Sequence, residues 1–197
     1  MTRLLTVILT AATLLGGTSL AMADAEYNPL ADLFSFTNRS GTGPIPRTTV
    51  GFQGNYAPGT IIIDTKERRL YLVQEGGRAL RYGIGVGRDG FTWSGTQTIT
   101  KKAEWPDWTP PPEMIARQPY LPRHMAGGPG NPLGARAMYL GGTVYRIHGT
   151  NAPETIGTHV SSGCLRLTNE DVTDLYSRVS VGTKVIVLPM TDRRAAL

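Results

Sequence analysis

The chain has 197 residues, with 24 glycines, 14 prolines and 40% hydrophobic residues. That is long enough for one domain with a proper core and short for two. Its formal charge of +5 is not concentrated in any dense Lys/Arg cluster, so nucleic acid is not indicated as a partner. The charge suits an acidic polymer, a membrane surface or an ordinary soluble exterior equally.

Residues 1–23 read as a secretory signal, with Arg3 as a short positive region, an apolar run over 4–15, and a small-residue cleavage site at Ala21-Met22-Ala23. The apolar run falls short of the roughly 20 residues of a membrane span, so no stable span is expected after cleavage. An uncleaved anchor is the alternative. Residues 24–58 carry Pro29, Pro44, Pro46 and the run Ser40-Gly41-Thr42-Gly43, and read as a leader or linker with room for a short helix over 28–36.

From Gly59 the pattern turns to β. Residues 60–64 form an apolar strand, 64–68 a polar turn, and 69–74 a second strand. Leu80, Tyr82, Ile84 and Val86 then alternate with Arg81, Gly83 and Gly85, the period of two of a half-buried strand. The glycines on its other face leave room for close packing, a bulge or ligand backbone. Residues 95–100 make a further strand. Residues 101–135 hold eight prolines, Trp105, Trp108 and Tyr120, and no convincing period. A stretch of that length is either a substrate-facing lid or a flap packed on the sheet, with a helical turn or two over 113–118.

Residues 137–140 and 143–148 read as a hairpin across Gly141-Gly142. Thr168 and Asp171 stand at capping-box spacing before a helix whose one face is Val172, Leu175, Tyr176 and Val179. Residues 184–188 close the domain as a buried strand, Pro189 ends it, and 190–197 are a polar tail. There is no internal repeat. Many short strands with one firm helix give a β-dominated α+β domain.

The chain holds a single cysteine, Cys164, and three histidines. An exported chain usually pairs its thiols, so one left over is a reactive thiol, an intermolecular bridge or a buried inert residue. Ser161-Ser162-Gly163 before it and Arg166 after it speak against apolar burial. A useful nucleophile needs a base or positive neighbour to bring its pKa down. His148 lies at the end of an apolar run sixteen positions earlier, and a loop folding back would pair it with the sulfur. His148, His159 and Cys164 are metal-ligating types, but their spacing matches no tight zinc pattern and no fourth ligand stands out. No metal or cofactor is expected.

His148-Gly149, a spacer, and Ser161-Ser162-Gly163-Cys164-Leu165-Arg166 together resemble the active-site signature of the L,D-transpeptidase catalytic domain family, bacterial enzymes that remodel peptidoglycan. The resemblance covers residues 59–189. It implies a β-sandwich of mixed sheets with one packed helix, and it favours the lid for 101–135. It also implies Cys164 as nucleophile, His148 as base, and the carbonyl of Gly149 as the group orienting the imidazole.

The residues themselves suggest further roles. Gly163 permits a tight turn that aims the amides of Gly163 and Cys164 at an oxyanion. Arg166 is suited to a substrate carboxylate, with a structural salt bridge as its alternative. Ser161 either bonds substrate or serves as a turn serine. The activity implied by the resemblance is acyl transfer from peptidoglycan tetrapeptide stems through a Cys164 thioester in the periplasm. It would make crosslinks between the third residues of two stems, attach an outer-membrane protein to the wall, or, with water, act as an L,D-carboxypeptidase. The rival reading is a catalytically idle peptidoglycan-binding module.

Overall fold

A computed structural model of the chain describes residues 44–190. The expected signal, the helix over 28–36, most of the leader, and residues 191–197 lie outside the described residues. Three consecutive isoleucines call for burial on both faces. Strand β2 (Ile61–Asp64) meets that demand by lying inside the sheet, with Ile61, Ile62 and Ile63 fully buried. It pairs antiparallel with β3 (Arg69–Gln74), and β3 pairs antiparallel with β4 (Arg78–Gly83). On its other side β2 pairs parallel with β11 (Lys184–Val187), the closing strand.

Strand β6 (Gly95–Glu104) links two halves of the molecule. Its first residues pair with β11, its last with β7 (Arg136–Leu140), and the register shifts between Ile99 and Lys101. The hydroxyl of Thr100, the residue at the shift, donates to the Gly141 carbonyl at 3.0 Å. A bulge of this kind lets one strand bend out of one sheet into another. Beyond it, β7 pairs antiparallel with β8 (Arg146–His148), and β8 parallel with β10 (Leu165–Arg166). Residues from both halves meet in one core, Ile61, Ile63, Leu72 and Tyr82 from one side and Met138, Leu140, Ile147 and Leu165 from the other. Two short strands, β5 (Val86–Gly87) and β9 (His159–Ser161), pair parallel beside this assembly. The result is the strand-rich fold of mixed sheets that the sequence pattern and the resemblance lead one to expect.

Helix α2 (Asn169–Arg178) packs on the core through Val172 and Leu175. Its N-cap is Thr168, whose hydroxyl accepts the Asp171 N–H at 3.1 Å. At the other end the Lys102 ammonium donates to the carbonyls of Tyr176 (2.7 Å) and Val179 (2.6 Å), a cation where the helix leaves carbonyls unpaired.

Four expectations need correction. The described part of the leader is not a linker. Strand β1 (Thr48–Gly51) extends the sheet by pairing with β4, and Val50, Phe52 and Tyr56 cover the outer cluster of Ile62, Tyr71, Val73 and Ala79. The expected strand through 80–86 is broken after Gly83, because Gly85 turns to bridge Arg166. The irregular stretch starts later than 101, since β6 continues to Glu104. The hairpin tip is longer than Gly141-Gly142: Thr143 joins the turn, its hydroxyl donating to the Leu140 carbonyl and accepting the Tyr145 N–H.

Arg47, just before β1, ties this strap to helix α2. Its guanidinium lies 2.9 Å from Asp171 Oδ1 and 3.5 Å from Asp174 Oδ2. Burial pushes the Asp171 carboxyl up to about 6, with the Arg47 charge opposing. The folded state therefore holds this proton more tightly than the unfolded chain. The stabilisation from that proton is complete below the ordinary carboxylate pKa and is lost as pH rises through about 6. Removing one partner of a buried pair costs about 3 kcal/mol or more while the other stays charged. Arg47→Ala should accordingly lower unfolding free energy by that order at pH 8 and by clearly less at pH 5, measured by urea denaturation. Equal losses at both pH values would contradict the buried-pair account.

Candidate active site

His148 closes β8 and Cys164 enters β10, and the pairing of these two strands brings the candidate residues together. Arg166 stands opposite His148, Leu165 opposite Ile147, and the Leu167 N–H donates to the His148 carbonyl at 2.8 Å. Ile147 and Leu165 point into the core. Side chains alternate along a strand, so Arg146, His148, Cys164 and Arg166 fall on the opposite face. Gly85 holds β10 from its other edge, exchanging two backbone bonds with Arg166 (2.8 and 2.9 Å). A Cβ at Gly85 would come 3.1 Å from the Thr155 carbonyl oxygen, a contact tight enough to favour glycine here.

The turn before the cysteine is built from buried contacts. Gly163 has φ of +102°, and a Cβ there would meet the Tyr145 ring at 2.5 Å. Trp93 stacks on Tyr145 with ring centroids 4.5 Å apart and donates its indole N–H to the Gly163 carbonyl at 2.8 Å. Ser161 is buried. Its hydroxyl donates to the Cys164 carbonyl (2.6 Å) and accepts the Gly163 N–H (3.1 Å). Of the two roles open to Ser161, the described geometry is that of a turn serine. The same bond engages the Gly163 amide.

His148 is 4% exposed, and its Nδ1 lies 2.5 Å from the Gly149 carbonyl oxygen. A carbonyl only accepts, so Nδ1 carries the proton and Nε2 presents a lone pair. Burial, then the charges of Arg166 and Arg146, push the imidazole down to about 3 against the opposing Gly149 bond. Gly149 itself packs against Asn169. The Asn169 side-chain oxygen accepts the N–H groups of Ala135 (2.9 Å) and Thr150 (3.2 Å), fixing the corner after the histidine.

The thiol departs from expectation. Cys164 is half-buried and its sulfur is closely surrounded. Burial pushes the thiol up, and Arg146, by charge and by a backbone hydrogen bond, then Arg166, only oppose that rise. Burial outweighs the two cations. The sulfur donates to the Val144 carbonyl at 3.8 Å, and no hydrogen bond joins it to His148 in this state. Both shifts favour the uncharged forms of thiol and imidazole.

Arg166 donates to Thr155 Oγ1 at 3.1 Å, while its buried Nε–H, like that of Arg146, finds no partner among the described residues. His159 lies in β9 rather than in a loop, with Nδ1 3.2 Å from the Gly87 carbonyl and Nε2 3.4 Å from Arg68. Among the described residues no group of three His, Cys, Asp or Glu side chains is placed to hold a metal ion. A cavity of about 320 Å³ opens at Thr150, Asn151 and Asn169, beside the histidine corner rather than at the sulfur.

Residues 105–135 form a closed excursion, clasped where Trp108 and Met125 exchange backbone bonds at 2.8 Å. Its short helix α1 (Pro112–Arg117) buries none of its residues, while Asn131, Leu133 and Ala135 at the end of the stretch are buried. Arg117 lies 4.9 Å from the centre of the Phe91 ring, and the Phe91 backbone rests against Gly87 and Gly163.

Sequence reasoning missed Trp93, Asn169 and the part played by Tyr145. Only the place of Tyr145 beside the histidine run gave any signal.

The chain matches the YkuD L,D-transpeptidase catalytic domain over residues 58–187. It is 37% identical over 177 residues to the probable L,D-transpeptidase ErfK/SrfK of Escherichia coli K12, covering 83% of this chain and 54% of that one. It is 42% identical over 135 residues to the probable L,D-transpeptidase YbiS of the same strain, covering 64% and 43%. The chain thus spans about half the length of these curated relatives. An L,D-transpeptidase structure from Mycobacterium smegmatis superposes with a TM-score of 0.54 at 20% identity, covering 66% of this chain and 58% of that one, a likeness of fold. The nine-stranded mixed sheet and the match over most of its length place the chain in the L,D-transpeptidase catalytic domain family.

Proposed function

We propose that this protein is an exported, periplasmic L,D-transpeptidase that acts on peptidoglycan tetrapeptide stems through a thioester on Cys164. The observation that carries the reading is the pairing of β8 with β10, which sets an imidazole with its Nε2 unprotonated beside the strand that the only thiol, on Cys164, immediately precedes. Among the described residues no helix is long and apolar enough to cross a membrane.

The sulfur turns from the Val144 carbonyl towards His148 Nε2, which takes the thiol proton as sulfur attacks the carbonyl of the third stem residue. With both groups neutral at rest, proton transfer accompanies attack. The amides of Cys164 and Gly163 receive the oxyanion, the latter after leaving Ser161. His148 returns the proton to the departing D-alanine amine, and the C–N bond breaks to leave the thioester. A second amine then attacks the thioester, gives up a proton to His148 and restores the thiol. If that amine belongs to another stem, the product is a crosslink between third residues. If it belongs to an outer-membrane protein, the product is a wall tether. Water in its place gives L,D-carboxypeptidase activity. Arg166, with a buried N–H lacking a partner, binds a substrate carboxylate. The excursion over 105–135 serves as the lid.

Cys164→Ala should abolish release of D-alanine from purified tetrapeptide muropeptides while leaving the circular-dichroism spectrum unchanged. A wild type that releases none, with a mutant that binds sacculi equally well, would support the idle binding module instead. Arg166→Ala should lower kcat/KM for the same donor at least about tenfold, the scale of a charge-assisted hydrogen bond, with little change in Tm. A parallel collapse of both would make Arg166 structural.

The His148 shift also has a thermodynamic sign. The unfolded chain takes this proton near pH 6.5 and the folded site refuses it until about 3, so its contribution to stability erodes as pH falls between those values. Followed by NMR, the His148 ring signals should stay unshifted from pH 8 to pH 4. A midpoint between 6 and 7 would contradict a neutral buried base.

A further inference from the structure

Residues opposite one another on neighbouring strands present their side chains to the same face. On the catalytic face one rung runs Arg166, His148, Ala137, Ala103. The next rung, nearer the hairpin tip, runs Arg146, Tyr139, Lys101, with Cys164 entering β10 level with Arg146. The two rungs differ in access. Ala137 is fully buried, which closes the His148 rung, whereas Tyr139 is half-buried and Lys101 exposed. The open run from the sulfur therefore leads along the second rung.

That rung is cationic and aromatic. The Arg146 guanidinium lies 5.4 Å and the Lys101 ammonium 5.3 Å from the centre of the Tyr139 ring. Among the described residues no carboxylate comes within ion-pair distance of Lys101, Arg146 or Arg166. The nearby acid on β6, Glu104, is taken by Arg136 at 3.1 Å, and Glu154 reaches Arg166 only through its field. A row of cations without counter-charges, leading away from a nucleophile, calls for an anionic occupant.

We propose that the Arg146–Tyr139–Lys101 rung is a subsite for the carboxylate-bearing body of the acyl donor peptide. This rests on the stem-peptide reading above. Strands lie about 4.8 Å apart, so Arg146 stands roughly 5 Å and Lys101 roughly 14 Å from the level of Cys164. An extended peptide advances about 3.4 Å per residue. A carboxylate on the residue under attack thus reaches Arg146, while one on either of the two residues before it lies up to about 7 Å further along, on the side from which the long Lys101 side chain approaches. The Tyr139 ring lies beneath the chain between them.

The test uses the full chain and two tetrapeptide donors ending in D-alanine, alike except that the carboxylate upstream of the reacting residue is free in one and amidated in the other. Lys101→Glu, an exposed change checked for folding by thermal melting, should raise KM for the free-carboxylate donor about fivefold to tenfold, with kcat within about twofold. KM for the amidated donor should move less than about twofold, as expected when no charge pair is lost. Lys101→Met should show the same selectivity at smaller size. Equal shifts for both donors, no shift in either, or a fall in kcat alone would overturn the subsite. A wild type that turns over neither donor would instead overturn the stem-peptide reading on which it rests.

Discussion

The parallel pairing of β8 with β10 is the constraint on which the rest of the site depends. Two strands of three and two residues are held in register by the ladder between them and by the Leu167 bond to the His148 carbonyl. Ile147 and Leu165 anchor the pair in the core, and their burial obliges the residues beside them to face outward. A one-residue slip would send His148 into the core and Ile147 to the face that carries Arg146 and Arg166, so the hydrophobic pattern itself guards the register. Gly85 on the far edge and Asn169 at the corner after Gly149 leave this pair little freedom.

The electrostatics of the face follow from how little solvent it admits. Two guanidiniums near a thiol would ordinarily favour thiolate, yet burial prevails at both Cys164 and His148. A thiol held towards its neutral form is a weaker target for adventitious electrophiles and oxidants, because reactivity follows thiolate character. The cations remain available for an anionic partner, since no carboxylate among the described residues pairs with them.

Much of the fold was legible from the residues. Strand β3 follows from its apolar run between two polar turns, β2 from its isoleucines, and α2 from Thr168 and the Val172, Leu175 face. The errors share a cause: each depended on a tertiary partner that local pattern does not carry. β1 looked like linker because its partner β4 lies some thirty residues on, and Arg47 finds Asp171 only in the folded domain. β6 outruns its apolar pattern because its far half takes β7 as a partner and lends Lys102 to the helix end. Within the site, His148, Gly149, Gly163 and Cys164 could be named from a local motif. Trp93 reaches the same site from a distant segment and nothing in its own neighbourhood marks it, while Asn169, three residues past Arg166, reads locally as a helix cap and not as a support for the histidine corner. The thiol's high pKa was likewise beyond reach, since flanking polar residues do not report how closely the folded chain surrounds the sulfur.

The central claim is that the lone sulfur carries the acyl group between donor and acceptor. Intact-mass spectrometry of the protein mixed with a tetrapeptide donor, without an amine acceptor, tests it most directly. The account predicts a transient adduct equal to the donor less D-alanine, released by hydroxylamine and mapped by digestion to the peptide that contains Cys164. It also predicts no such adduct in His148→Ala under the same conditions. D-alanine released without any adduct at Cys164, or an adduct mapped elsewhere, would contradict it.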